Sequence, residues 1–174
     1  AVVLEDKIGL KRNSLFQNQK KIKQDTIKSF CKKIKVSKKS QVTEDLMIVA
    51  RIESLILKKG MHDALKRAEA YSSAGADAIL IHSKEKTPSE IFQFAKKFQK
   101  SQYFKPMIAV PSTFSKTKEK DLIKNGFKIV IYANHLLRAS YPAMLKTANT
   151  ILAKQRGIEA DKTITPIKEI LELI

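Results

Sequence analysis

The sequence predicts an α/β protein built on a parallel sheet. Two observations carry that expectation. Short apolar runs alternate with amphipathic helical segments along the whole chain, and no pair of runs is joined by a two-residue hairpin signal. The runs are also apolar on both faces, as strands buried between two layers are. A Gly-then-strand junction recurs at Gly75 and Gly126, which marks a repeated βα unit.

The first run, Ala1-Val-Val-Leu4, ends on Glu5-Asp6-Lys7 and reads as a strand with charge at its C-terminal end. The polar stretch that follows contains Lys11-Arg12-Asn13-Ser14-Leu15, whose cations, amide and hydroxyl suit a phosphate or carboxylate. From Ile22 to Lys39 a helix is expected. Ile27, Phe30, Cys31 and Ile34 lie on one face, with Lys28, Lys32, Lys35 and Lys39 on the other. Leu46-Met-Ile-Val-Ala-Arg51 is the second strand. Asp63 is placed to cap a helix containing Ala64, Leu65, Ala68 and Tyr71, closed by Gly75. Ala78 to His82 is the third strand. Thr87-Pro88-Ser89-Glu90 has the pattern of a capping box with proline at the first helical position, and its helix puts Ile91, Phe94, Ala95 and Phe98 on one side. Met107 to Val110 is the fourth strand, followed by a short helix to Asn125-Gly126. Lys128 to Tyr132 is the fifth. A long helix from about Leu136 to Lys154 should turn Leu137, Tyr141, Met144, Ala148, Ile151 and Leu152 inward. A last helix after Thr165-Pro166 aligns Ile167, Ile170, Leu171 and Ile174.

Five strands alone leave open edges, whereas a closed βα barrel needs eight strands and ~250 residues, of which five eighths is ~155. The chain of 174 residues is therefore expected to be one partial domain, residues 1–174, equivalent to strands four to eight of a TIM-type (β/α)8 barrel plus a C-terminal helix, with strands one to three outside this sequence. It opens with Ala inside a strand, so the true N-terminus is expected upstream and organellar targeting stays open.

Composition narrows the function classes. At 43% hydrophobic residues the chain is globular, and no apolar run approaches the ~18–20 residues of a membrane span. A single cysteine, Cys31, allows no internal disulfide and points to a reducing, cytoplasmic compartment. The formal charge of +17, from 34 Lys+Arg against 17 Asp+Glu, has two readings: a nucleic-acid or acidic-surface partner, or, favoured here, a Lys-rich composition or charge offset by an N-terminal half outside this sequence. No nucleic-acid-binding motif accompanies the lysines, which speaks against nucleic acid. His62 and His135 share no metal-ligand spacing with His82.

Taken alone, each polar residue at a strand end has an ordinary reading. Arg51 and Glu53, two apart on a strand, point the same way and can pair. His82 can be a satisfied core histidine, and Asn13-Ser14 a turn. Together they are more specific. Glu5-Asp6-Lys7, Lys11 and Asn13-Ser14-Leu15 resemble the gating loop of the phosphoenolpyruvate mutase family in the isocitrate lyase superfamily. The resemblance continues through Ile48-Val-Ala-Arg-Ile-Glu53, Ala74-Gly-Ala-Asp-Ala-Ile-Leu-Ile-His-Ser-Lys84 and Tyr132-Ala-Asn-His-Leu-Leu-Arg-Ala-Ser140, and covers nearly the whole chain in order. The superfamily's carbon–carbon lyases typically carry a catalytic cysteine where this chain has Asn13, and the related phosphonopyruvate hydrolases usually lack the Asn-Ser pair.

The resemblance implies an isomerase that interconverts phosphoenolpyruvate and phosphonopyruvate, the first step of phosphonate biosynthesis. It implies catalytic roles for Asn13, Arg51, His82 and Lys11, substrate contacts from Ser14, Leu15, Arg51 and His82, and a place for Glu5 in the outer shell of a Mg²⁺ site. The family's metal-site aspartates lie on the first three strands. It further implies a homodimer or homotetramer that exchanges the C-terminal helix, and a functional link to a phosphonopyruvate decarboxylase. The alternatives are a non-catalytic barrel fragment serving as a basic structural subunit, or a hydrolase or lyase relative.

Overall fold

A computed structural model of the chain describes residues 1–9 and 23–173. The chain divides into two compact units, Ala1–Tyr132 and Ala133–Ile174. The first is built on a five-stranded, all-parallel sheet of β1 (Val2–Glu5), β4 (Ile48–Ile52), β5 (Ala78–Ile81), β6 (Met107–Ala109) and β7 (Phe127–Val130), ordered β1-β4-β5-β6-β7. Each expected strand is present within a few residues of its expected bounds. The helices between them are α1 (Ile27–Lys39), α2 (Gly60–Ser73), α3 (Ser89–Phe98) and α4 (Glu119–Lys124). In such a sheet every strand delivers its C-terminal end to the same side, which is where α/β folds place their chemistry.

The strand residues divide by period two between the faces. Ala50, Ile52, Ile79, Ile81, Met107 and Ala109 join the large core against α1, α2 and α3, where Phe30, Ile34, Tyr71, Ile91, Phe94 and Phe98 are buried. The other face carries a smaller cluster of Val49, Ala78, Leu80, Ile108 and Val110. The outer edge of β1 pairs with no strand among the described residues, and Val2 and Val3 on it are each 43% exposed.

Several local expectations are corrected. An antiparallel pair of two-residue strands, β2 (Lys7–Ile8) and β3 (Lys23–Gln24), was invisible to periodicity because two residues carry no period. It also moves the start of α1 from Ile22 to Ile27, where the Thr26 hydroxyl accepts from the Ser29 amide. Asp63 lies inside the first turn of α2 rather than capping it, because its carboxylate accepts from Ser54 and Arg67. The Thr87–Glu90 capping box does not form. The Glu90 carboxylate accepts from the Ser83 hydroxyl instead, and Thr87 and Ser89 share a hydrogen bond between hydroxyls.

The second unit holds α5 (His135–Lys154), α6 (Ile158–Asp161) and α7 (Ile167–Leu171). No residue of α5 is buried, so Leu137, Tyr141, Met144, Ala148, Ile151 and Leu152 are exposed rather than turned inward. The unit by itself is too small to enclose them, and among its described residues only Ala160 is buried.

Candidate functional site

The residues expected at strand ends are brought together by register. Glu5 lies opposite Arg51 in the β1–β4 pairing, and Arg51 opposite Leu80 in the β4–β5 pairing. His82 follows two residues after Leu80, so alternation places Glu5, Arg51 and His82 on the sheet face opposite α1, α2 and α3, at the C-terminal ends of three adjacent strands. Lys11, Asn13, Ser14 and Leu15 lie outside the described residues. The chain enters and leaves that segment through the β2–β3 pair, next to Glu5.

Two cations and two carboxylates alternate at the ends of β1 and β4. Arg51 Nε donates to Glu53 Oε1 at 2.7 Å, and Arg51 Nη2 stands 3.7 Å from Glu5 Oε1. Lys7 Nζ lies 2.6 Å from Glu5 Oε1 and 3.5 Å from Glu53 Oε2. The Arg51–Glu53 pair is the one the two-residue spacing anticipates. Lys7 completes a network in which the fully buried Glu53 is compensated from both sides.

His82 is buried, and its Nδ1 has no hydrogen-bond partner among the described residues. Its pKa is lowered to about 4, chiefly by burial and next by Arg51; Glu5 opposes this, and Lys7 and Lys84 add smaller lowering effects. At neutral pH it is therefore an uncharged imidazole whose unsatisfied nitrogen is available to a ligand. The bland alternative of a core histidine with its hydrogen bonds made does not describe it.

One set of residues escaped sequence reasoning. Asp6, fully buried, donates its amide to the Arg51 carbonyl at 3.1 Å and accepts on Oδ1 from the Glu53 amide at 2.9 Å. Its Oδ2 accepts from Gln24 Nε2 at 2.9 Å, Tyr71 Oη at 2.9 Å and Arg67 Nη1 at 3.2 Å. Burial raises the Asp6 pKa against these four donors. The signal was present in α2, since Asp63, Arg67 and Tyr71 recur at four-residue steps and so share a helix face with the apolar side.

The described residues hold no group of three or more His, Cys, Asp or Glu able to hold a metal ion. Glu5 and Glu53 are both engaged by cations, so these residues alone do not fit a Mg²⁺ shell of six oxygen ligands. No helix among the described residues is long and apolar enough to cross a membrane.

Comparison with known proteins accords with this arrangement. The family described as phosphoenolpyruvate phosphomutase matches residues 1–152. The phosphoenolpyruvate phosphomutase of Tetrahymena pyriformis is 41% identical over 172 residues, covering 99% of this chain and 56% of its own length. The crystal structure of a phosphoenolpyruvate phosphomutase from Streptomyces platensis subsp. rosaceus superimposes with a TM-score of 0.85 at 36% identity, over 98% of this chain and 58% of that one. A phosphonopyruvate hydrolase in complex with oxalate and Mg²⁺ gives 0.81 at 34% identity, over 98% and 57%. The chain thus spans a little over half the length of these relatives. A parallel α/β sheet, charged residues at its C-terminal strand ends and a match across most of the chain converge: this chain belongs to the phosphoenolpyruvate phosphomutase family.

Proposed function

We propose that the protein of which this chain is part interconverts phosphoenolpyruvate and phosphonopyruvate. The bond from phosphorus to the enol oxygen breaks and a bond from phosphorus to carbon three forms within one molecule, so no co-reactant is consumed. A loose, metaphosphate-like transition state calls for positioning and charge neutralisation more than for proton transfer. The observation that carries the reading is a buried neutral His82 with an unsatisfied Nδ1, set beside the Arg51 guanidinium at the sheet's C-terminal end. Arg51 supplies the planar fork that grips phosphoryl or carboxylate oxygens, and His82 a hydrogen bond to the same group.

Four residues of the intervening segment complete the site in this reading. Asn13 contacts the migrating phosphoryl group, Lys11 adds charge, and Ser14 and Leu15 bring further donors. The hydrolase alternative is disfavoured by Asn13-Ser14 and by the 41% identity to the Tetrahymena pyriformis mutase against 37% to a phosphonopyruvate hydrolase. Mg²⁺ belongs to the proposal because a similar hydrolase is solved with it. Glu5 would stand in its outer shell, and the inner ligands must come from beyond the described residues.

The same proposal has further strands completing a barrel against the outer edge of β1, where Val2 and Val3 are exposed. It has copies of the chain associating through the C-terminal helix, where Ile167, Ile170 and Leu171 are exposed. A cytoplasmic location and a decarboxylase that draws off phosphonopyruvate are also part of it.

The test is phosphorus-31 NMR of the full-length protein supplied with phosphonopyruvate. The expected result is loss of the P–C resonance and growth of phosphoenolpyruvate, with Asn13→Ala reducing the rate by about 10²–10³. Release of inorganic phosphate with no phosphoenolpyruvate would replace the mutase by a hydrolase. An Asn13→Ala protein as fast as the parent would remove the loop from the mechanism.

A further inference from the structure

A buried polar cluster lies behind the charged strand ends, and the mechanism above does not use it. At its centre is Asp6, which is tied to β4 at two backbone points, the Arg51 carbonyl and the Glu53 amide. These are the residues on either side of Ile52, so Asp6 brackets the stretch that projects both Arg51 and Glu53. On its other oxygen Asp6 is held by α2. Tyr71 Oη donates to it, and Arg67 Nη1 donates both to it and, at 2.7 Å, to the Tyr71 oxygen. Arg67 Nη1 also donates to the Asp25 carbonyl at 2.8 Å, and Arg67 Nε to Asp63 at 2.9 Å.

We infer that Arg67 and Tyr71 are positioning residues: acting through Asp6, they fix the backbone that aims Arg51 and Glu53 and the strand end that carries Glu5. The inference rests on the proposed reaction only for what the positioned residues then do.

An arginine 5% exposed and a fully buried aspartate and tyrosine are expensive to desolvate, and an apolar replacement of similar volume would hold α2 against the sheet as well or better. What an apolar replacement cannot do is fix direction. Tyr71 accepts from Arg67 and donates to Asp6, so the chain of hydrogen bonds has one sense, and each oxygen of Asp6 has a separate task. The tyrosine is itself seated by Phe30, at 4.6 Å between ring centroids. The whole device is therefore anchored in the main core. A site that works by aiming charge at a phosphoryl group is sensitive to displacements well under an ångström at such an anchor.

The test uses Tyr71→Phe and, as a second variant, Arg67→Lys in the full-length protein. Amide hydrogen exchange is read at Glu53, whose N–H bonds to Asp6, and at Ile79, whose N–H bonds to the Pro106 carbonyl in the sheet. The expected result is about tenfold lower protection at Glu53 with Ile79 unchanged, together with kcat lowered about tenfold and KM held within about twofold. Ile34→Val, which loosens the same core without removing a hydrogen bond or touching the Phe30–Tyr71 contact, should leave the ratio of Glu53 to Ile79 protection as in the parent. The inference is overturned if neither variant changes that ratio, if Ile34→Val changes it equally, or if Glu53 loses protection while kcat stays at the parent value. A parent protein that makes no phosphoenolpyruvate removes the mutase reading instead, and hydrogen exchange still decides whether the clamp exists.

Discussion

Glu5 and Arg51 face each other across the parallel pairing of β1 and β4, with carboxylate and guanidinium 3.7 Å apart. At that distance the pair is an electrostatic neighbourhood more than a hydrogen bond. The close contact of Arg51 is with Glu53, at 2.7 Å. The guanidinium is thus steered by a buried carboxylate on its own strand and balanced by a second on the next.

This arrangement separates two substitutions at Arg51. Arg51→Lys keeps the charge and loses the planar fork, so kcat/KM for phosphonopyruvate should fall about 10²-fold with little change in stability. Arg51→Ala should raise KM and lower kcat together, and should also destabilise the fold by roughly 2–3 kcal/mol, because the buried Glu53 carboxylate loses its 2.7 Å contact with the guanidinium. Steady-state kinetics and urea unfolding of the two proteins check this. Equal stability for both would mean that Glu53 does not depend on Arg51.

His82 makes stability depend on pH in a known direction. Its pKa is about 4 in the folded protein against 6.5 for the free side chain, so between those values the unfolded chain binds the extra proton. The stabilising contribution is complete above pH 6.5, declines as pH falls towards 4, and changes no further below that. The difference corresponds to roughly 3 kcal/mol. Urea midpoints from pH 7 to pH 4, compared between parent and His82→Gln, isolate this contribution from that of Asp6, whose raised pKa works in the opposite sense. Parallel curves for the two proteins would show that His82 titrates normally.

Asp6→Asn should be costly despite its near-identical shape. Both oxygens of Asp6 accept hydrogen bonds, one from the Glu53 amide and the other from Gln24, Arg67 and Tyr71. Whichever way the new amide turns, its NH₂ meets a donor, and the negative charge facing Arg67 is gone. A loss of roughly 3 kcal/mol in urea unfolding is expected. A change below roughly 1 kcal/mol would mean that the cluster rearranges around the amide.

Gly75 closes the turn from α2 to β5 with φ at +110°, and an added Cβ would stand 3.3 Å from Lys38 Cγ. Lys38 is not free to move away without cost, since its Nζ pairs with Asp77 at 3.0 Å and Asp77 accepts from the Ile48 amide at 2.7 Å. Gly75→Ala should therefore lower stability by roughly 1–2 kcal/mol with kcat unchanged, because the turn lies at the opposite end of β5 from His82. Thermal unfolding and kinetics on one preparation test both halves.

The order of the five sheet strands and the helices between them, the parallel sheet and the charged strand ends were legible in the sequence, whereas β2, β3 and α6 were not. Alternation, glycine positions and apolar runs are local patterns, and local sterics and burial fix them. The candidate site was legible only as single residues. Arg51, His82 and Glu5 each had an ordinary reading, and a match of motifs rather than any physical rule joined them. Lys11, Asn13, Ser14 and Leu15 stand on that match alone. The capping box at Thr87 went unformed because Glu90 found a partner in Ser83, and the apolar side of α5 found no burial within its own unit. A local pattern states what a residue can do, and competition among partners decides what it does.

What the sequence by itself determined is therefore the class of fold, the residues that can do chemistry and the ends of the strands on which they stand. Tertiary structure alone decided that Glu5 lies opposite Arg51, that Lys7 completes their network, that His82 is neutral with an unsatisfied nitrogen, and that Asp6 is gripped by Arg67 and Tyr71 from α2. The physical reason is that register, desolvation and hydrogen-bond choice depend on groups tens of residues apart in the chain. Their energies exist only once the sheet has brought those groups within a few ångströms of one another.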